Sequence, residues 1–323
     1  MAIQHGDDAR ARLLRKLDEV GLPFGQICKS FFQGPQTGAA PVYVLDRREV
    51  DEAAGLVTVY SPARQGTLTL ESAVAKRLVK GSLDARRYWI EEAGHCLVFP
   101  YRGDRLIPPE EFAERYPLCW AYLLENRERL ESRAGGKMRH AGWYGYLYPN
   151  DVASFEQAKL LTPSIARHAS FSFDGFGHHY LAGGGGGYGI VLKEYDLKIS
   201  LDWAYVLALL NSRLLDFYLH SISQPSRAGW HPYHRRYIER LPIRCLNLED
   251  FPALGYHGRI ALSVMASIHL QKRLACAGAR DKDLRGDLAG RIAQVDAEID
   301  ALVYEVYELT EEEIALVERE THR

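Results

Sequence analysis

The segment 223–237, SQPSRAGWHPYHRRY, concentrates side chains that could meet a polyanion. It combines guanidinium groups, imidazoles, aromatic rings and hydroxyls on a backbone punctuated by Pro and Gly. Arginine can hold phosphates and can form a bidentate pair with guanine, and contacts to phosphate fix the register on a duplex. We therefore predict that this basic-aromatic loop contacts DNA through seven residues: Arg227, Trp230, His231, Tyr233, His234, Arg235 and Arg236.

A second candidate contact patch consists of Lys137, Arg139 and Tyr144. It lies on a segment that contains Gly135-Gly136, whose backbone could adapt to a groove. The sequence leaves a structural alternative open for both patches. Arg235 and Arg236 could form surface ion pairs while Tyr233 packs inward, and the second segment could be a solvated loop.

A helix and a short exit segment are expected to frame the basic-aromatic loop. An apolar stripe at three- and four-residue spacing predicts the helix: Val206, Leu210, Leu214, Phe217 and Ser221. Asn211 and Ser212 are poor helix formers that interrupt it. We expect Asn211 to hydrogen-bond neighbouring backbone, and Leu241-Pro242-Ile243 to anchor the far end of the loop.

Strands and helices are both predicted around this frame. An amphipathic helix should run from about Ala9 to Val20, before Gly21 and Pro23. Runs rich in β-branched and aromatic residues predict strands at 41–45, 56–60, 88–90, 96–99, 170–173 and 188–192, with 88–90 and 96–99 forming a hairpin. Further helices are predicted at 72–79, 108–116, 117–133, 259–277 and 284–307, and Thr310 to Glu313 match a capping box.

The fold class that follows is α+β, with a mixed strand and helix body and a helical appendage. We assign residues 1–250 to the body and residues 251–323 to an acidic helical C-terminal region. Residues 76–244 carry 23 Lys and Arg against 18 Asp and Glu, whereas residues 245–323 carry 9 against 15. A polyanion should therefore meet the body and avoid the tail.

Composition narrows the class of protein. The 323 residues are 47% hydrophobic and 25% charged, which is ordinary for a globular protein. No apolar run approaches the length of a membrane helix, and the first residues lack a signal peptide's apolar core, so we expect a cytoplasmic protein with no membrane partner. The five scattered cysteines offer neither a disulfide framework nor a Cys-x-x-Cys metal pair.

Catalytic signatures are missing from the sequence. Residues 183–189 formally satisfy G-x-G-x-x-G, but a strand-like run follows where a dinucleotide-binding fingerprint needs a helix. His178-His179 and the loop histidines lack partners at metal-ligand spacing. Neither the Asn-Pro-Pro-Tyr type of methylase motif nor a nuclease carboxylate pair is present. We therefore predict that the chain is not an enzyme and holds no cofactor or metal itself.

Several motifs occur in one order along the chain: Phe32–Gly38 with Val42–Val44, Val79–Tyr88, Leu97–Arg102, Tyr116–Leu123, Trp143-Tyr144, Lys159–Ile165, Leu207–Phe217 with Leu241–Ile243, and Val303–Ile314. Together they resemble the TaqI-like C-terminal specificity domain of type IIG restriction-modification enzymes and N6-adenine DNA methylases. Two residues depart from that pattern, since Pro35 replaces an apolar residue and Glu308 replaces a glycine.

This resemblance implies recognition of a DNA target sequence. In such enzymes an N-terminal lobe binds S-adenosylmethionine and flips the adenine, while the C-terminal lobe reads base edges. The expected partners are double-stranded DNA and a methylase or nuclease lobe that the chain lacks, and S-adenosylmethionine and Mg²⁺ are expected on that lobe alone. Lys159 lies in a family motif and is expected to be structural.

Two other hypotheses stay open at this point. The chain could be a specificity or scaffold subunit that docks a methylase or nuclease through its C-terminal helices, with or without reading DNA. It could also be a complete enzyme with an unrecognised site, which assays with S-adenosylmethionine, magnesium and DNA would reveal.

Overall fold

The computed structural model describes residues 2–80, 84–91, 94–181, 186–226, 229–278 and 280–321, with side chains from Asp8 onward. Its helices are α1 (Ala2–Val20), α2 (Phe24–Ile27), α3 (Ala40–Tyr43), α4 (Pro109–Arg115), α5 (Pro117–Glu125), α6 (Arg127–Glu131), α7 (Arg133–Gly136), α8 (Trp203–Asn211), α9 (Arg213–Ile222), α10 (Arg235–Ile238), α11 (Phe251–Cys276), α12 (Lys282–Val306) and α13 (Glu311–Glu320). Its strands are β1 (Leu22–Pro23), β2 (Cys28–Phe32), β3 (Val44–Asp51), β4 (Leu56–Ser61), β5 (Gly66–Glu71), β6 (Ala75–Val79), β7 (His95–Val98), β8 (Tyr101–Arg102), β9 (Arg105–Leu106), β10 (Lys159–Thr162), β11 (Ile165–Ala166), β12 (Ser172–Asp174), β13 (His179–Leu181), β14 (Tyr188–Leu192), β15 (His231–Pro232) and β16 (Pro242–Ile243). The predicted α+β class and helical C-terminal region are confirmed.

A six-stranded sheet organises the first part of the body. Its order is β13-β6-β7-β3-β4-β5, antiparallel except for the parallel pair β13–β6. The strands predicted at 56–60 and 96–99 are confirmed as β4 and β7. The helix predicted at 72–79 is wrong, because β6 pairs with β7 and β13 and the ladder hydrogen bonds outweigh the local helical pattern.

Two other predicted strands are displaced by tertiary contacts. At 41–45 the chain first makes the helical turn α3, and β3 begins only at Val44. Residues 88–90 make isolated bridges and no hairpin with β7, because β7 already lies between β3 and β6. Tyr88 instead bridges to Ser172 with φ at +66°, a conformation that is rare for an aromatic residue.

A four-stranded antiparallel sheet, ordered β12-β10-β14-β2, lies in the second part of the body. The run predicted at 188–192 is confirmed as strand β14, and the part of the Gly-rich run at 183–185 lies outside the described residues. A β-carbon added at Gly189 would lie 2.3 Å from the Phe32 ring, so only glycine fits beside that ring. Two-residue pairs β1–β16 and β11–β15 bring distant segments together.

The helix is interrupted at Asn211-Ser212, as the sequence predicts. Ser212 is extended (φ −69°, ψ 154°) and separates α8 from α9. The Ser212 hydroxyl accepts a hydrogen bond from Leu215 N, and Asp202 caps α8 in the same way. Each half of the interrupted helix therefore begins with its own N-cap.

The C-terminal helices complete the core around α8 and α9. Ile299, Val303 and Val317 belong to the same buried cluster as Leu209 and Phe217. Thr310 and Glu313 form the predicted capping box of α13, since each accepts a hydrogen bond from the other's backbone N–H. Within the described part of the chain, no helix combines the length and apolar character needed to span a bilayer.

Candidate nucleic-acid interface

A short antiparallel stem supports the basic-aromatic loop. Its two strands are β11 and β15, in which Ile165 pairs with Pro232 and Ala166 pairs with His231. Beyond the stem, Ser226 N donates to Trp230 O at 2.6 Å and closes the loop tip. Arg227 lies in that tip but outside the described residues, so it stays a prediction.

A polar cluster anchors the stem to α9. The carboxylate of Asp216 is buried and accepts hydrogen bonds from Ala169 N (2.9 Å) and from the Tyr233 hydroxyl. The imidazoles of His220 and His231 stack with ring centroids 3.7 Å apart, and His231 Nδ1 lies 3.1 Å from Ser223 Oγ. Burial, together with the charge of His220, lowers the pKa of His231 from 6.5 to about 4, so His231 is neutral at pH 7.

This cluster gives His231 a role that the sequence did not predict. Its side chain is half-buried and joins the loop stem to α9, whereas the prediction made it a DNA contact. His168 completes the cluster, because its Nδ1 lies 3.3 Å from Asp216 Oδ2. The spacing of four residues on α9 places His220 beside Asp216, but His231 joins them only through the pairing of β15 with β11, which the sequence does not signal.

Three of the predicted contacts are solvent-exposed side chains on or beside α10: His234, Arg235 and Arg236. Arg235 Nε makes an ion pair with Glu239 Oε1 at 2.5 Å, and its guanidinium lies 5.3 Å from the centroid of the Phe31 ring. The guanidinium of Arg236 lies 4.7 Å from the Tyr237 ring centroid. Arg235 therefore combines the surface ion pair of the structural alternative with an exposed position.

The Trp230 ring lies beside Arg167, a residue that the sequence analysis did not predict as a contact. The Arg167 guanidinium lies 5.7 Å from the centroid of the Trp230 ring, and Arg167 is exposed. Arg167 directly follows β11, so the β11–β15 pairing places it beside the loop. A planar cation over an indole ring presents the kind of surface on which bases stack.

Two predicted contact residues are wrong. Tyr144 and Tyr233 are each 1% exposed, so neither ring can reach a DNA duplex. The Tyr233 hydroxyl donates to buried Asp216, and the Tyr144 hydroxyl donates to the backbone carbonyl of Ile107. Burial of the rings and satisfaction of both hydroxyls explain why these tyrosines pack inward.

The second patch is reduced to Lys137 and Arg139, which are both exposed. They lie on a turn, residues 134–142, where Gly135 and Gly136 have φ of +68° and +86°, the region that glycine tolerates. Buried Arg133 holds the base of this turn by donating to four backbone carbonyls, those of Thr37, Leu130, Trp143 and Gly145. The charge of Arg133 is thus used structurally, and the charges of the turn remain free to face solvent.

Both patches are anchored to the same short segment, residues 31–37. Arg235 lies over Phe31, and Arg133 donates to Thr37 O six residues later. Six residues span at most about 20 Å when extended. The two anchoring points therefore lie within one helical turn of B-DNA, about 34 Å.

No metal site accompanies these patches in the residues that the structure describes: no group of three or more His, Cys, Asp or Glu side chains is placed to hold an ion. Lys159 is structural, as predicted. It is buried and pairs with Asp174 at 2.6 Å.

Part of the chain, including the basic-aromatic loop, matches a family model. Residues 113–243 match the model of the family described as TaqI-like C-terminal specificity domain, and the resemblance predicted from the sequence is confirmed over this range. The match includes the Lys137 turn and the whole basic-aromatic loop. No curated protein matches the chain.

A solved structure with a similar fold is that of the type IIL restriction-modification enzyme MmeI in complex with DNA. The TM-score is 0.52 at 13% identity, and the alignment covers 89% of this chain. It covers 34% of the MmeI chain, so this chain spans about a third of that enzyme's length. At this identity the likeness shows the fold alone.

Proposed function

We propose that this chain recognises a DNA sequence on behalf of a restriction-modification system. The observation that carries the proposal is the exposed basic-aromatic loop on its anchored stem, inside the range that matches the specificity-domain family. The buried polar cluster of Asp216, His220 and His231 holds the stem of the loop against α9. Rigid supports favour base reading because hydrogen bonds to base edges demand a fixed side-chain position.

The exposed residues divide into two roles. Arg236 and His234 lack the ion pair that holds Arg235, and we assign them to base edges or to the phosphates nearest the target. One bidentate Arg–guanine pair contributes about 1–3 kcal/mol of discrimination. Lys137 and Arg139 hold the backbone within the same turn of the duplex and contribute affinity that depends on salt.

The chemistry belongs to a partner in this proposal. A methylase or nuclease lobe, in the same polypeptide or a separate subunit, would bind S-adenosylmethionine and Mg²⁺ and act on the site that this chain selects. An adenine-specific type IIG system in the cytoplasm is the form we favour, because the sequence motifs resemble those enzymes.

An exposed apolar stripe on α11 favours a second, compatible role, the docking of that catalytic lobe. Phe251, Leu254, Leu262 and Met265 are 85%, 47%, 72% and 52% exposed and lie on one side of the helix with Gly255 and Gly258. The opposite side packs against α8 and α12. α11 contains no Asp or Glu, so the stripe suits an apolar partner surface with an acidic rim.

Selection from a library of randomised duplexes tests the main proposal. The purified chain should enrich one sequence at low salt, and fluorescence anisotropy should then show tighter binding to that sequence than to a scrambled duplex. Binding should weaken steeply as salt rises. If no duplex binds, even after a methylase lobe is supplied, the proposal fails.

A further inference from the structure

A groove beside the six-stranded sheet is lined by several basic side chains. This cation groove has a volume of about 320 Å³, and its lining includes Arg47, Lys76, Arg77 and His178. Glu52 is the carboxylate in the lining. The groove therefore holds a net positive charge in a partly enclosed space, where electrostatic attraction for an anion is stronger than on an open surface.

The basic side chains of the groove have no carboxylate within ion-pair distance among the described residues. Lys76 Nζ lies 5.8 Å from the centroid of the Tyr180 ring. The side chains of Arg47, Lys76 and Arg77 are half-buried, so they have lost part of their hydration without gaining an ion pair. Such an arrangement is costly for the free protein, and a bound anion would relieve it.

Strand pairing sets the spacing of the two arginines. Arg77 and Leu45 lie on either side of Cys96 in neighbouring strands, and Arg47 follows Leu45 by two residues in β3. Strands are about 4.8 Å apart, and two residues advance about 6.6 Å. The Cα atoms of Arg47 and Arg77 are thus about 12 Å apart, which lets two flexible guanidinium groups grip one phosphate or two neighbouring phosphates.

An exposed aromatic residue is held at the edge of the groove. Phe176 is 83% exposed and stacks on His178, with ring centroids 5.5 Å apart. Their turn is fixed by buried Asp174, which accepts hydrogen bonds from His178 N and His179 N and pairs with Lys159. Burial opposes ionisation of Asp174, but the hydrogen bonds from His179 and the charge of Lys159 outweigh it and lower its pKa.

We propose that the cation groove is a second DNA-binding site, which holds phosphodiester groups of the duplex beyond the target sequence. Arg47, Lys76 and Arg77 bind the phosphates, and Phe176 packs against the sugar-phosphate backbone. The site adds affinity without reading sequence. This inference rests on the proposed function, and it assigns to the groove a part of the binding that the loop does not supply.

The test uses the triple variant R47A/K76A/R77A and a matched control, R280A/K282A/R291A. The control removes the same charge from exposed positions of the C-terminal region. Binding is measured by anisotropy on duplexes of about three turns and about one turn, roughly 30 and 10 bp, over a salt series. Circular dichroism and the Tm confirm that each variant is folded.

The groove variant should bind the long duplex at least about tenfold more weakly, and its slope of log K against log salt should fall by about 2–3, close to 0.9 per lost phosphate contact. Its affinity for the short duplex and its preference for the target should not change. F176A should weaken binding to the long duplex with the wild-type slope, because no counterion release is lost.

Three outcomes separate the inference from the proposed function. A groove variant with wild-type affinity and slope on the long duplex overturns the inference while loop-dependent binding stands. An equal loss in the matched control also overturns it, since net charge would then explain the effect. If the wild-type chain binds no duplex, the proposed function itself fails.

Discussion

The side-chain amide of Asn211 pairs with both backbone polar groups of Phe171. Asn211 Oδ1 accepts from Phe171 N at 2.9 Å, and Asn211 Nδ2 donates to Phe171 O at 2.8 Å. Five residues along the chain, Asp216 accepts from Ala169 N. The interrupted helix α8–α9 thus fixes the segment that continues from β11, and with it the base of the basic-aromatic loop. Asn211 serves the interface by positioning this segment.

Replacing Asn211 should therefore cost stability. N211A leaves the Phe171 N–H buried without the amide oxygen, whereas the Phe171 C=O keeps the hydrogen bond from Tyr88 N. One unsatisfied buried group costs about 1–3 kcal/mol, so we expect a loss of about that size in the free energy of unfolding. Urea denaturation measures this loss. N247A, at an exposed asparagine, is the control and should cost less than about 1 kcal/mol. Equal losses in the two variants would contradict the role of Asn211.

Arg133 makes a second testable anchor. R133M removes the donor to the carbonyls of Thr37, Trp143 and Gly145, and we expect a loss of about 2–4 kcal/mol in unfolding free energy. The turn 134–142 should also loosen, so trypsin should cleave after Lys137 and Arg139 faster than in the wild type. R129M, at an exposed arginine, should change neither quantity. Unchanged cleavage in R133M would show that Arg133 does not hold the turn.

Local signals in the sequence predicted the helical parts of the fold well. The stop at Asn211-Ser212 and the capping box at Thr310 depend on side chains that bond to backbone a few residues away. The prediction of strands failed where a strand pairs with distant parts of the chain. The residues of β6 have a helical pattern by themselves, and they form a strand because they pair with β7 and β13. Non-local hydrogen bonds leave no periodic trace at the positions they override.

Composition selects the segment of the candidate site, but it does not predict which of its side chains are exposed. The basic-aromatic loop was identified from composition, yet composition could not tell exposed His234 from buried Tyr233. The inward turn of Tyr233 depends on buried Asp216, and the role of His231 depends on its stacking against His220. Arg167 was missed because only the β11–β15 pairing places it beside Trp230.

The loop assignment predicts unequal effects of neighbouring arginines. R236A should weaken binding to the selected duplex by about tenfold or more and reduce its preference over a scrambled duplex, as expected for an interaction of about 1–3 kcal/mol. R235A should have a smaller effect, because Arg235 is already paired with Glu239. Anisotropy on both duplexes measures the ratio.

The matched control for these variants is R127A. Arg127 makes the same type of i,i+4 ion pair, with Glu131, and is not one of the predicted contact residues. It should bind both duplexes like the wild type. A loss of target preference in R127A, or none in R236A, would contradict the assignment of the loop as reader.

The α11 stripe predicts a variant that separates partner binding from DNA binding. L262E/M265E places two carboxylates on an exposed apolar surface, so the chain should stay folded and bind duplex DNA with wild-type affinity. Capture of a methylase or nuclease lobe, supplied as a separate polypeptide, should be lost in a pull-down, because charged groups would have to be buried without partners. F176E, at an exposed apolar side chain outside the stripe, should still capture the partner, and retention of the partner by L262E/M265E would rule out the stripe.

The histidine stack gives the interface a pH dependence of known sign. Burial and His220 hold the pKa of His231 at about 4, below its ordinary value of 6.5, so the unfolded chain binds the proton more readily between these values. The stabilisation is complete above about pH 6.5 and declines as the pH falls towards 4.

His168, His220 and Asp216 face the same cluster, so the variant H231N isolates the contribution of His231. Between about pH 7 and pH 5, urea denaturation should show a smaller loss of unfolding free energy in H231N than in the wild type. H269N, at an exposed histidine of α11, should follow the wild-type profile. An H231N profile as steep as the wild type would mean that the buried stack does not resist protonation.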